Sequence, residues 1–157
     1  MEAFEREIVD LLPRLRRLAR ALTRDPTAAD DLVQMAIERA LARRAQWQPG
    51  TRLDSWVMRI MKNAWIDETR SRSRWGRVLD GPDAGENVAD AASRPDEAMA
   101  IDQAMARLPE DQRLAVALVL IDGLSYAEAA AVLEVPPGTL TSRLVRGRTA
   151  LMAQLEA

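Results

Sequence analysis

Thr139, Ser142, Arg143 and Arg146 fall on one arc of a helix, within a stretch, 138–149, that holds three arginines and no acid. Short hydroxyls near a helix start can bond base edges or phosphates, and a guanidinium can meet the two acceptors of a guanine edge. That chemistry suits a helix lying in the major groove of DNA. At about 100° per residue, Leu140, Leu144 and Leu151 gather on the opposite side and supply its buried stripe. Just upstream, Ser125 and Glu128 have the spacing of a capping box. They predict a short helix from Tyr126 to Leu133 that buries Ala129, Ala130 and Leu133. Pro136 and Pro137 then break the chain, and a proline is tolerated at a first helical position. A second helix follows from about Pro137 to Leu155. An ordinary helical hairpin with a solvated basic face would share this periodicity. The cap, the small residues, the proline-broken turn and the acid-free helix together favour a helix-turn-helix that binds duplex DNA.

A second group of residues suits unpaired bases. All four tryptophans lie between Trp47 and Trp75, interleaved with Arg52, Arg59, Lys62, Arg70, Arg72 and Arg74. Bases stack on aromatic rings while cations track the phosphates of a single strand. Trp56 and Trp65 border a helix core and are expected to pack. Trp47 sits in a turn beside Pro49 and Gly50, where packing and ligand contact are equally reasonable.

Composition narrows the chemistry. The 157 residues contain no cysteine and no histidine, which removes disulfides, thiolate catalysis, the usual zinc sites and the commonest general base. No metal site, cofactor or small-molecule substrate is expected. The segment MEAFEREIVDLL carries acids where a signal peptide carries bases, and no apolar run reaches membrane-spanning length. A cytoplasmic protein without a membrane segment is the expectation. The net charge of −2 hides its distribution. Residues 1–75 hold 15 bases and 11 acids, 76–106 hold 2 and 7, and 107–157 hold 5 and 6.

These residues must be positioned by helices, because helical periodicity dominates and no stretch alternates with period two. A first helix, about Ala3 to Leu22, presents Leu11, Leu12, Leu15, Leu18 and Leu22, and Pro13 should kink or break it. Asp25 should cap a second helix opened by Pro26 and carrying Leu32, Val33, Ala36, Ile37, Ala40 and Leu41 to about Arg44. Asp30 and Asp31 in its early turns suit the helix dipole. After a turn over 46–51, a third helix from about Arg52 to Arg72 has Leu53, Val57, Ile60, Met61 and Ala64 as its core stripe. Asn63 falls at the border of core and solvent, and Arg59, Lys62 and Arg70 on the wet face. A fourth helix, about Asp96 to Arg107, ends at Leu108-Pro109, and a fifth runs from about Glu110 to Ile121 before Gly123. The expected architecture is all-α: a helical domain over 1–74, an acidic flexible linker over 75–95, and a second domain over 96–157 ending in the helix-turn-helix.

In this order and at this spacing the motifs resemble bacterial RNA polymerase sigma factors of the extracytoplasmic-function (ECF) type. DPTAADDLVQMAIERAL resembles the family's second-region helix, and PGTRLDSWVMRIMKNAWIDETRSRSR its promoter-melting segment. LPEDQRLAVALVLIDGLSYAEAAAVLEVPPGTLTSRLVRGRTAL resembles its fourth region. The resemblance implies a non-catalytic subunit that binds core polymerase and directs promoter-specific initiation. It implies that Asp30, Asp31, Leu32 and Gln34 bind the β′ coiled coil, with the fourth region at the β flap. It implies −10 contacts from Trp47, Thr51, Arg52, Trp56, Arg59, Lys62 and Asn63, the turn and Asn63 capturing a flipped base. Thr139, Thr141, Ser142, Arg143, Arg146 and Arg148 would face the −35 element. An anti-sigma factor would be the usual regulator, a small soluble one if the chain is of the alphaproteobacterial general-stress type. Four residues depart from the pattern: Met35 stands for an acid, Glu134 for the turn glycine, Thr141 for a basic residue or methionine, and Gly147 for an alanine-like residue. A sigma-like decoy that sequesters an anti-sigma factor is the alternative. It need not keep a basic recognition helix or an aromatic melting turn, and this chain has both.

Overall fold

The computed structural model describes residues 2–79 and 96–156, so most of the expected linker lies outside the described residues. Those residues form helices and turns only: α1 (Ala3–Thr23), α2 (Pro26–Ala42), α3 (Leu53–Leu79), α4 (Asp96–Ala106), α5 (Glu110–Val116), α6 (Tyr126–Leu133) and α7 (Pro137–Glu156). A 3₁₀ turn at Arg44–Gln46 precedes α3, and a π-helical turn at Ala117–Ile121 extends α5.

The local signals set the boundaries. Asp25 caps α2, its carboxylate accepting from the Ala28 amide at 2.9 Å, with Pro26 at the first position. Both halves of the Ser125–Glu128 capping box are made, at 2.9 and 3.1 Å. Gly123 ends the π-helical turn at φ 84°, and the Leu124 amide donates to the Leu118 carbonyl at 3.0 Å. Pro13, expected to kink or break α1, lies inside a helix that is continuous from Ala3 to Thr23. Packing of Leu15, Leu18 and Leu22 beyond it offsets the lost hydrogen bond. α3 continues seven residues past the expected Arg72.

In the N-terminal half α1, α2 and α3 pack together. Leu53, Val57, Ile60, Met61 and Ala64 are buried as their spacing requires, joined by Met58 and Trp65. Leu41, assigned to the core stripe of α2, is instead 37% exposed because α2 ends one residue later. In the C-terminal half α5, α6 and α7 form a trihelical unit against which α4 packs. Gly147 is buried where α7 crosses α5. A Cβ there would stand 2.8 Å from Val116 Cγ2 and 3.2 Å from the Gln112 carbonyl oxygen. The glycine's propensity cost, about 1 kcal/mol, is thus the condition for this close approach.

The two halves also touch. α6 lies on α3, and the π-helical turn lies on α1. Their buried apolar side chains form one continuous cluster. Arg113 crosses the boundary, donating to the carbonyls of Leu22 at 3.1 Å, Ala106 at 2.8 Å and Leu108 at 3.0 Å, and lies 5.7 Å from the centre of the Trp65 ring. Burial pushes its guanidinium below the usual value, and nearby Arg24 adds to the effect. Three carbonyls and an aromatic face replace the missing carboxylate.

Candidate nucleic-acid interface

The turn before α3 and the first turns of α3 enclose a cleft of about 580 Å³. It is lined by Gln46, Trp47, Gln48, Thr51, Arg52, Ser55, Trp56 and Arg59, with Ala127, Glu128 and Ala131 of α6 on its far side. Five of the seven residues assigned to −10 contact therefore come together here. Asn63 and Lys62 do not line it. Asn63 is exposed one turn beyond Arg59 on the same face, about 6 Å along the axis at 1.5 Å per residue. Lys62, expected on the wet face, is only 6% exposed. Its own helix leaves that side open, and α6 covers it.

Aromatic packing holds the cleft's shape. Phe4 at the start of α1 packs on Trp47 with centroids 5.6 Å apart, and on Trp56 at 6.2 Å in an edge-on arrangement. Arg44 stacks over Phe4 at 5.1 Å and pairs with Glu2. Trp47 is therefore a packed residue that also forms cleft wall. Its indole N–H is buried without a partner. Phe4 and Ser55 carried no sequence signal, being far away in the chain and featureless respectively.

Electrostatics fix Arg52. Asp54, at the start of α3, accepts from Arg52 at 3.1 and 2.6 Å, from Arg14 of α1 at 3.0 Å and from the Ser55 amide at 2.7 Å. The Arg52 and Arg14 guanidiniums hold its carboxyl down at about 2 against the opposing effect of burial. Asp54 in turn raises Arg52, and Asp122 raises Arg14, which it accepts from at 2.8 Å. Arg52 also pairs with Glu128. Five alternating charges, Asp122–Arg14–Asp54–Arg52–Glu128, thus begin and end in the C-terminal half.

On α7, Leu140 and Leu144 are buried and Leu151 half-buried, which turns the other arc outward. Thr141, Arg146 and Arg148 are exposed, and Thr139, Ser142 and Arg143 are half-buried. The Thr141 hydroxyl donates to the Pro137 carbonyl at 3.0 Å, and Arg143 lies 3.6 Å from Asp111. Glu134, in the turn, adopts the left-handed conformation at φ 59° where the family pattern has glycine.

A second cleft, about 590 Å³, runs between α1 and α2, lined by Leu12, Arg16, Asp30, Val33, Gln34, Ile37 and Glu38. Asp30, Asp31 and Gln34 are exposed on α2. Leu32 is not part of that surface: it is 1% exposed, because its place in the helical stripe points it into the core.

Comparison with known proteins agrees with this geometry. Residues 98–151 match the model of sigma-70 region 4, and residues 8–62 match the sigma2 domain of PhyR. The chain is 36% identical over 154 residues to the ECF RNA polymerase sigma factor EcfG of Rhodopseudomonas palustris, covering 95% of this chain and 83% of that protein. It is 36% identical over 137 residues to the sigma factor SigM of Mycobacterium tuberculosis, covering 87% of this chain and 69% of that one. Among solved structures, the sigma factor RpoE in complex with the anti-sigma factor NepR from Bartonella quintana superposes with a TM-score of 0.83. That match is 28% identical and covers 100% of this chain and 99% of that one. CnrH, in complex with the cytosolic domain of CnrY, gives 0.72 at 25% identity, covering 98% of this chain and 88% of that one. The whole-length match to initiation factors does not favour a decoy. The chain belongs to the ECF family of RNA polymerase sigma factors, the subunits that direct promoter-specific transcription.

Proposed function

We propose that this sigma factor reads its promoter at two separate places and binds polymerase at two others. The cleft of Trp47, Thr51, Arg52, Trp56 and Arg59 receives an unstacked base of the −10 element, and Lys62 and Asn63 continue that contact along α3. Thr139, Thr141, Ser142, Arg143, Arg146 and Arg148 of α7 face the −35 element. Asp30, Asp31 and Gln34 dock on the β′ coiled coil, with buried Leu32 holding their helix in place, and the C-terminal domain meets the β flap. The domains serving these roles are 1–74 and 96–157, with 75–95 as linker. The protein acts in the cytoplasm, has no catalysis of its own, and is held in check by an anti-sigma factor. The whole-length likeness to RpoE, solved with the anti-sigma factor NepR, supports that last assignment.

The observation that carries the −10 reading is the cleft itself. The aromatic walls of Trp47 and Trp56, the Thr51 hydroxyl and two arginines, Arg52 and Arg59, line one opening. An aromatic wall and polar edge groups are what a flipped base requires. Abasic substitution along a single-stranded −10 oligonucleotide tests it with holoenzyme. One position should stand out, its loss costing about 1–3 kcal/mol, the worth of one stacked base. Trp56→Ala should flatten that profile. A profile already flat in the parent contradicts the reading.

A further inference from the structure

We propose that Asp54 is a positioning residue for promoter reading: it clamps one edge of the Arg52 guanidinium, so that the remaining donors of that group are aimed at an acceptor of the −10 strand. The inference rests on the −10 assignment of Arg52. The clamp is a fork. Asp54 Oδ1 accepts from Arg52 Nε at 3.1 Å, and Oδ2 accepts from Nη2 at 2.6 Å. Two parallel bonds fix the plane of a guanidinium as well as its place. Nη1 lies outside the fork and points across the cleft, where it pairs with Glu128 on the far wall. The fork therefore turns the donors it does not use into the opening.

Asp54 itself is fixed. Oδ1 also accepts from the Ser55 amide at 2.7 Å, and Oδ2 from Arg14 of α1 at 3.0 Å. An acid in the first turn of a helix ordinarily stands in water and answers the helix dipole. This one is 8% exposed and gives both oxygens to guanidiniums. With its carboxyl held down at about 2, it stays ionised at neutral pH. Arg52 is the contrary case, its side chain 54% exposed. Released from Asp54, such an arginine would sample many rotamers and lose them on binding. The clamp removes that freedom on folding, which preorganises the contact. Arg59, the other arginine of the cleft, has no such anchor: its Nε is buried without a partner. Arg14, Arg52 and Asp54 all belong to the N-terminal half, so the clamp does not depend on the other domain.

Holoenzyme affinity for a single-stranded −10 oligonucleotide tests the clamp through a double-mutant cycle. Asp54→Asn keeps the side chain's shape and removes one acceptor of the fork. It should weaken binding about tenfold, as should Arg52→Ala, the loss of one hydrogen bond to a charged group. In the Arg52→Ala background Asp54→Asn should cost nothing more, whereas in Arg59→Ala it should cost its full loss. Circular dichroism establishes that each variant is folded at the assay temperature. Arg52→Lys keeps the cation and leaves Asp54 its bonds to Arg14 and Ser55, so the fold should survive, but a lysine cannot make the fork. It should bind nearly as weakly as Arg52→Ala. Losses at one position of a base-substitution series assign the acceptor to a base edge, and equal losses throughout assign it to a phosphate; both support the clamp. A cost of Asp54→Asn that persists without Arg52 makes Asp54 a support of the fold and overturns the proposal. Arg52→Lys binding like the parent overturns it too. A flat abasic profile in the parent contradicts the cleft reading itself, whereas a normal profile left unchanged by Arg52→Ala overturns only the clamp.

Discussion

Lys62 Nζ and Glu134 Oε1 lie 3.0 Å apart across 72 residues of chain, joining α3 to the turn that precedes α7. The pair makes the contact between the two halves depend on pH. Lys62 lowers the folded pKa of Glu134, which also faces Arg59. Asp54, facing Arg52 and Arg14, is lowered from 3.8 to about 2. A carboxyl depressed on folding contributes stability that is present above its unfolded pKa and lost as pH falls through its folded one. The native arrangement should therefore weaken progressively below about pH 4.5. Acid unfolding followed by circular dichroism should show Asp54→Asn losing stability at pH 7 and responding less between about pH 4 and pH 2. A variant as pH-sensitive as the parent contradicts the Arg14–Asp54–Arg52 arrangement.

Arg146 is exposed on α7, away from Leu140 and Leu144, so Arg146→Ala should leave the fold intact. Loss of a base contact should cost about 1–3 kcal/mol and relax specificity at one −35 position. Mobility-shift titrations of holoenzyme on duplex promoters with single substitutions would show it. Equal affinity of parent and variant for specific and unrelated duplex removes Arg146 from the reader.

Asn63 is exposed on α3 and outside the cleft lining, one turn past Arg59. Its amide can donate to and accept from a base edge. Asn63→Ala should leave −35 binding intact and reduce promoter opening, seen as weaker permanganate reactivity of thymines in the bubble. Normal melting by the variant makes Asn63 only a helix-surface residue.

Gly147→Ala sets two effects against each other. Alanine gains about 1 kcal/mol of helix propensity. The new methyl group would stand 2.8 Å from Val116 Cγ2 and 3.2 Å from the Gln112 carbonyl oxygen. Overpacking at such a site costs about 1–3 kcal/mol, and the stiff valine and fixed backbone cannot yield. Urea unfolding should show a net loss, and a gain would mean that α5 and α7 separate easily.

What the sequence made legible was local. Ser125 and Glu128 placed α6 to the residue, and Asp25 with Pro26 placed the start of α2, because a cap depends only on near neighbours. Spacing alone buried Leu53, Val57, Ile60, Met61 and Ala64. Lys62 was misplaced because helical periodicity describes one helix, and the element that covers it, α6, comes from the other half of the chain. Leu32 joined the polymerase surface through its motif, although its own stripe already assigned it to the core. Glu134 and Gly147 looked like costs against the family pattern. Each is matched to a partner that only the folded chain provides, Lys62 in one case and Val116 with Gln112 in the other.

The central claim is that this chain directs polymerase to promoters through both reading surfaces. Run-off transcription with purified core polymerase, on a promoter selected by the holoenzyme from random duplex, tests it most directly. The account predicts a discrete transcript that requires the protein, falls with Arg146→Ala, and falls with Asn63→Ala on closed duplex but recovers on a pre-melted template. Binding to core polymerase without a specific transcript from any selected promoter, beside tight capture of an anti-sigma factor, would contradict it.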